Sequence, residues 1–283
     1  MREKQELIDG LRATVTAAAQ AGAQSKTNIF VATGRMTGLE SLVRWMHPTR
    51  GMVWPGEFIP VAETSDLILD IGRWVLDRSC RQVQEWHDRW PDLHDLQINV
   101  NVAGRQLEQP DFVEQVADVV RSSGVDPATV VLEVTETTLL QNAEDAIAKL
   151  EALRGLGLGV AIDDFGTGYS SLSYLQRFPA TAIKIARDFV AVDEADADSW
   201  ELASAIVSMG RALRLTVIAE GVEESFQLDR LRKLRCSRAQ GYYLARPLPA
   251  EELDRLFAKP RSSLTWSRAS TRELVNLSSR GNP

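Results

Sequence analysis

From Ile98 onward, short β-branched runs alternate with longer segments whose apolar residues recur three and four apart, the pattern of βα units around a parallel sheet. The runs are Gln97–Val102, Thr129–Glu133, Gly159–Asp163, Thr181–Ile185, Leu215–Glu220 and Gly241–Ala245. Two earlier runs, Asn28–Val31 and Leu39–Arg44, are joined by the turn-like Ala32-Thr-Gly-Arg35 and predict a hairpin instead of a crossover. Amphipathic helices are predicted over Leu67–Trp90, Asp111–Ser122, Asn142–Leu156, Tyr169–Arg177, Trp200–Arg214 and Ser225–Leu234. Gly155 and Gly157 end one helix before its strand, Pro127 opens the loop before another strand, and Pro179 stops a further helix. Eight strands with such helices suit an α/β barrel of the TIM type, typically of roughly 250 residues. An open doubly wound sheet is the alternative.

The ends read differently from the middle. Residues 1–25, a polar start followed by the Ala-rich stretch Ala13–Gln20, predict a helical lead-in; residues 26–258 form the barrel domain, and 259–283 a polar, flexible tail. Hydrophobic residues make up 44% and charged residues 25% of the 283, which excludes disordered, collagen-like and coiled-coil chains. The net charge of −7, with no basic patch, argues against a nucleic acid polymer as partner. Cys80 and Cys236 form no C-x-x-C pair, and His47, His87 and His94 lack zinc-site spacing, so any metal must be held by oxygen. The charged first residues and the lack of any apolar run near the roughly 18 residues of a span predict a cytoplasmic protein without a membrane segment.

In a parallel barrel the C-terminal strand ends form the rim on which active sites are built. Glu40, Asn101, Glu133, the pair Asp163-Asp164, Lys184, Glu220 and Gln240 stand at the ends of seven successive strand candidates. One polar strand end is ordinary; seven converging on one rim are not. The five carboxylates would repel one another strongly at close range unless cations neutralised them. Oxygen donors without Cys or His fit Mg²⁺ or Mn²⁺, and a shared carboxylate would set two ions about 3.5–4 Å apart, a geometry suited to phosphoester hydrolysis. Lys184 adds a positive charge able to orient a water, its alternative reading being a solvated strand-end lysine.

The ordered segments carry a family resemblance. Gly38-Leu-Glu-Ser-Leu-Val-Arg-Trp45, Phe58-Ile-Pro60, Gly72-Arg-Trp-Val75 and Val100-Asn101 with Arg105-Gln-Leu107 come first. Leu132-Glu-Val-Thr-Glu136, Asp163-Asp-Phe-Gly-Thr-Gly-Tyr-Ser-Ser-Leu172, Ile183-Lys-Ile185, Ala219-Glu-Gly-Val-Glu223 and Gln240-Gly-Tyr242 with Arg246-Pro-Leu-Pro249 follow. Over about residues 32 to 257 the chain resembles the EAL domain family of cyclic di-GMP phosphodiesterases. The resemblance implies a modified TIM (β/α)8 barrel with its first strand antiparallel, hydrolysis of cyclic di-GMP to linear pGpG, and two Mg²⁺ or Mn²⁺ ions. It implies that Glu40, Asn101, Glu133 and Asp163 hold the first ion and Asp163, Asp164 and Glu220 the second. It also implies a water-orienting Lys184, a phosphate-holding Arg44, Gln240 and Asp164 facing substrate, and Glu136 anchoring the Asp-Asp-Phe-Gly loop. A homodimer formed around that loop is a further implication.

Three positions depart from the family pattern. Ser41 replaces the alanine of Glu-Ala-Leu, and Ala186 stands where Lys-Ile-Asp has its acid, near the second metal and the attacking water. Ser25–Phe30 lacks the expected glutamine and proline, which predicts a short or poorly formed first strand. Two readings follow: a phosphodiesterase with reduced activity, favoured by the retained rim residues, or a degenerate EAL module that binds the nucleotide or a protein partner without catalysis, favoured by Ala186. Gly155-Leu-Gly157-Leu-Gly159 precedes its strand and therefore reads as helix termination, not a dinucleotide loop. Trp74, Trp86 and Trp90 fall at helical spacing and read as packing residues, and Ser170-Ser171 as a helix cap.

Overall fold

The computed structural model describes residues 21–259 apart from 48, 169–174 and 195, and the backbone alone for 21–30. The strands are β1 (Ala21–Phe30), β2 (Met36–His47), β3 (Gly51–Val53), β4 (Gln97–Asn101), β5 (Val130–Thr135), β6 (Gly159–Phe165), β7 (Ala182–Ile185), β8 (Thr216–Ala219), β9 (Arg238–Ala239) and β10 (Leu248–Pro249). From β2 through β4, β5, β6, β7 and β8 to β9 the pairings are parallel. β1 closes the ring by pairing antiparallel with both β2 and β9, so eight strands form a modified TIM barrel and the doubly wound alternative falls away. β3 adds to β2 and β10 to β1.

Around the sheet lie α1 (Pro55–Glu63), α2 (Leu67–Arg89), α3 (Gly104–Leu107), α4 (Phe112–Ser123), α5 (Glu136–Gln141), α6 (Ala143–Gly155), α7 (Ala197–Ala212), α8 (Ser225–Leu234) and α9 (Ala250–Phe257). α2 shows why the pattern folds this way: Ile68, Ile71, Val75, Leu76, Cys80, Val83 and Trp86 recur at helical spacing and are all buried on one face. Trp86 donates its indole N–H to Asp254 Oδ1 at 2.7 Å, and Trp86 and Trp90 both meet the Phe257 ring edge-on, as packing residues should. Among the described residues no helix is long and apolar enough to cross a membrane.

Several expectations need correction. Ala21–Ser25 belongs to β1 and not to a helical lead-in, because it pairs residue by residue with Ser41–Trp45; Ala13–Gln20 lies outside the described residues. For the same reason the first strand is neither short nor poorly formed: its ladder uses backbone groups, which need no particular glutamine or proline. The last barrel strand is Arg238–Ala239, while Gly241–Ala245 is a turn in which Leu244 and Ala245 N–H both donate to Gly241 O. A short apolar run cannot by its pattern alone be told from a packed turn. α7 ends before Arg214, whose φ of 59° is left-handed, and residues 169–174 of the helix expected over Tyr169–Arg177, with Ser170-Ser171, lie outside the described residues.

Strand alternation fixes the height of the site. Val130, Leu132 and Val134 of β5 join the core beneath the helices, whereas Val131 belongs with Ala161, Ala182 and Ile218 to a separate apolar cluster inside the barrel. Glu133, Asp163 and Lys184 each stand two residues further along those same strands, and Glu220 two residues past Ile218 just beyond the end of β8, so they share that inner face one layer higher. A polar layer thus caps an apolar plug.

Candidate metal centre at the barrel rim

Lys184 lies at the middle of that layer. Its ammonium is 2.6 Å from Glu133 Oε2, 2.7 Å from Glu220 Oε1, 3.1 Å from Asp163 Oδ1 and 3.8 Å from Glu40 Oε2. The side chain is 0% exposed, which excludes the solvated strand-end reading. Glu40 is likewise not at a strand end: β2 continues seven residues past it to His47, because β3 pairs with that extension. Its position opposite Asn99 of β4 nevertheless brings its carboxylate into the layer. Asn101 donates its amide to Glu40 Oε1 at 3.2 Å, and Gln240 donates to Glu40 Oε2 at 2.9 Å and to Glu220 Oε1.

Successive strand residues normally face opposite sides, yet Asp163 and Asp164 serve one site. Pairing of β6 with β7 runs from Ile162↔Ile183 to Phe165↔Ile185, an extra residue on β6 and hence a bulge. Asp164 absorbs it at φ 52°, a left-handed conformation that costs a non-glycine residue about 1–3 kcal/mol. Its N–H donates to Asp163 Oδ1 at 3.0 Å. Oxygens of Asp163, Asp164 and Glu220 consequently lie within 4.8 Å of one another.

Glu136 meets the loop that follows. It is buried at the start of α5, and its Oε2 accepts the Gly166 N–H at 2.9 Å. A Cβ at Gly168 would stand 2.7 Å from Glu136 Oε1, so any side chain there would displace that carboxylate from the loop. Arg44, four residues beyond Glu40 on β2, is buried, donates from Nη1 to Val43 O at 2.9 Å and sets its guanidinium 4.9 Å from the Trp54 ring centroid. Ser41 points the other way: its hydroxyl accepts from Ser79 Oγ of α2 at 2.8 Å. Ala186 is buried where β7 ends, just before the Arg187–Phe189 turn, and puts a methyl group where the family pattern has a carboxylate.

Burial pushes the Glu133 carboxyl well above its usual range, although the Lys184 charge opposes it. Burial also lifts Glu220 to about 7 and raises Asp164, whose neighbours Asp163 and Asp188 push it further. Burial alone would lower Lys184, but Glu133, Glu220, Glu40 and Asp163 outweigh it and hold the ammonium well above its ordinary value. Five carboxylates around one ammonium leave an excess of negative charge that divalent cations neutralise. The donor set is entirely oxygen, and Glu133 Oε1 is buried without a hydrogen-bond partner, so the residues present fit Mg²⁺ or Mn²⁺. The structure thus brings the eight rim residues together, places Arg44 beside them and sets Glu136 behind the loop. Two exposed aromatics lie near this layer: Tyr242, which belongs to the Gln240-Gly-Tyr242 segment without an assigned role, and Trp54, which no periodicity marks and whose signal in the chain is a large apolar residue directly before Pro55.

An acidic, oxygen-donor rim on a barrel with an antiparallel first strand defines a cation-binding α/β barrel. The EAL domain family matches residues 27–247, and the chain belongs to that family. It is 43% identical over 225 residues to the bifunctional diguanylate cyclase/cyclic di-GMP phosphodiesterase MucR of Pseudomonas aeruginosa, covering 80% of this chain and 33% of MucR. To the cyclic di-GMP phosphodiesterase NbdA of the same organism it is 41% identical over 226 residues, covering 80% of this chain and 29% of NbdA. The chain therefore spans about a third of the length of these curated relatives. The solved structure of the PaMucR phosphodiesterase in complex with c-di-GMP is similar at a TM-score of 0.84 and 41% identity, covering 88% of this chain and 99% of that one.

Proposed function

We propose that this chain is a metal-dependent phosphodiesterase that opens cyclic di-GMP to linear pGpG, with reduced activity. The observation that carries the reading is the convergence of Asp163, Asp164 and Glu220 oxygens within 4.8 Å, beside a fully buried Lys184. Glu40, Asn101, Glu133 and Asp163 would hold one Mg²⁺ or Mn²⁺, and Asp163, Asp164 and Glu220 the other. When bound, such a pair supplies an activated water and neutralises the phosphoryl oxygens.

The chain's own groups do the remaining work. Lys184, fixed between Glu133, Glu220 and Asp163, supplies a positive charge able to orient the attacking water. Arg44 presents a planar fork to a phosphate, and Gln240 holds Glu40 and Glu220 in orientation. Hydrolysis breaks one 3′-ester P–O bond; the water oxygen joins phosphorus, and the released 3′ oxygen takes a proton. Glu136, by holding Gly166, keeps the Asp163-Asp164 segment in place.

Ala186 supports the reduced rate, since a carboxylate lost beside the water or the metal ligands typically costs about ten- to a hundredfold. The same residue favours the second reading, a module that binds the nucleotide without turnover. The reading further includes cytoplasmic location and a homodimer, whose mass sedimentation would report. Its test is calorimetry on Asp163→Asn: Mn²⁺ affinity should largely disappear, whereas unchanged Mn²⁺ binding would discard the two-metal arrangement.

A further inference from the structure

Trp54 is 54% exposed, an unusual place for a large indole, and its backbone is rigidly held. Pro55 keeps it extended at φ −83° and ψ 150°, its carbonyl accepts the Glu57 N–H at 2.9 Å, and the preceding Val53 is buried and paired with Trp45 of β2. One part of the indole carries the Arg44 guanidinium at 4.9 Å, while the remainder meets solvent. Arg44 lies four residues beyond Glu40 on the same strand and is therefore on the same face. The Glu40 carboxylate acts on the same guanidinium through space, which ties Trp54 to the acidic layer.

Tyr242 is the second exposed aromatic, at 48%. It lines a cavity of about 110 Å³ with Glu220, Gln240 and Arg187, and carries the Arg246 guanidinium at 5.0 Å. A guanidinium beside an open indole presents two complementary surfaces at once, a fork for a phosphate and a π-face for a flat base. A bare phosphate would use only the first. A nucleotide uses both, because base and phosphate are joined through one sugar.

We propose that Trp54 stacks on a purine base of the cyclic dinucleotide whose phosphate Arg44 holds, and so selects purine over pyrimidine cyclic dinucleotides. The inference rests on the reading of cyclic di-GMP as ligand and adds the residue that selects its base. Exposed Met46 and Met52, paired across β2 and β3, lie near Trp54 in the chain and would instead suit a protein surface, but the guanidinium suited to a phosphate pairs with the Trp54 ring.

Calorimetry in Ca²⁺, which takes oxygen ligands, tests this with cyclic di-GMP and cyclic di-UMP on the parent, Trp54→Ala and Trp54→Phe. The parent should prefer cyclic di-GMP. Trp54→Ala should weaken cyclic di-GMP by roughly tenfold or more and cyclic di-UMP by less, and Trp54→Phe should keep most of the preference. Unchanged cyclic di-GMP binding in Trp54→Ala would overturn the inference and leave the functional reading standing. Equal losses for both ligands would also overturn it, because Trp54 would then act only by bracing Arg44. A parent that binds neither ligand would overturn the functional reading as well. An unchanged Ca²⁺ isotherm in both variants checks that the barrel is intact.

Discussion

The Lys184 ammonium stands 2.6 Å from Glu133 Oε2 with both side chains at 0% exposure, linking β7 to β5 across the intervening β6. Removing one partner of a buried pair leaves the other uncompensated, a loss of about 3–5 kcal/mol. Lys184→Met should therefore unfold at lower urea concentration in chelator, by about that amount of stability. Added Mn²⁺ should stabilise the variant more than the parent, because cations take over the neutralising role. Equal urea midpoints for parent and variant in chelator would refute the pairing as a stabilising element.

Ser41 differs from the family's alanine without reaching the metal centre. Its buried hydroxyl bond with Ser79 joins β2 to α2, and Ser41→Ala would leave the Ser79 hydroxyl unpartnered, costing about 1–3 kcal/mol. The double variant Ser41→Ala/Ser79→Ala should recover part of that loss, and Mn²⁺ affinity should stay at the parental value in both. Denaturant titrations of the three proteins decide it. A double variant no more stable than Ser41→Ala would contradict this role for the hydroxyl pair.

Glu136 acts through the loop backbone. Glu136→Ala removes the acceptor for Gly166 N–H, a charge-assisted bond of about 1.5–3 kcal/mol, and should loosen the Asp163-Asp164 segment. Mn²⁺ affinity and hydrolysis should fall together, and Glu136→Gln, which retains an accepting oxygen, should restore part of each. If calorimetry gave parental Mn²⁺ affinity in Glu136→Ala, the loop would not depend on this contact.

Much of the rim was legible because strand alternation is simple: Val131 predicts the facing of Glu133, and Ala182 that of Lys184. What could not be read from spacing was depth. Lys184 looked like a rim lysine, and only the closure of β2, β5, β6 and β8 around β7 shows that it is enclosed by four carboxylates. Glu40 was misplaced to a strand end because the β2 extension depends on β3, three residues with little sequence signal. The last strand was missed in favour of Gly241–Ala245 since two paired residues, Arg238 and Ala239, make no periodic pattern. The bulge at Asp164 was also invisible, because a backbone turning left-handed at a non-glycine is imposed by its neighbours.

On the proposed function, this rim hydrolyses cyclic di-GMP slowly because Ala186 leaves a carboxylate missing. Chromatographic product analysis with Mn²⁺, on the parent and Ala186→Asp side by side, tests it most directly. Both proteins should yield pGpG, accumulating roughly tenfold or more faster in the variant. No pGpG from either protein, with Mn²⁺ bound to both, would contradict it.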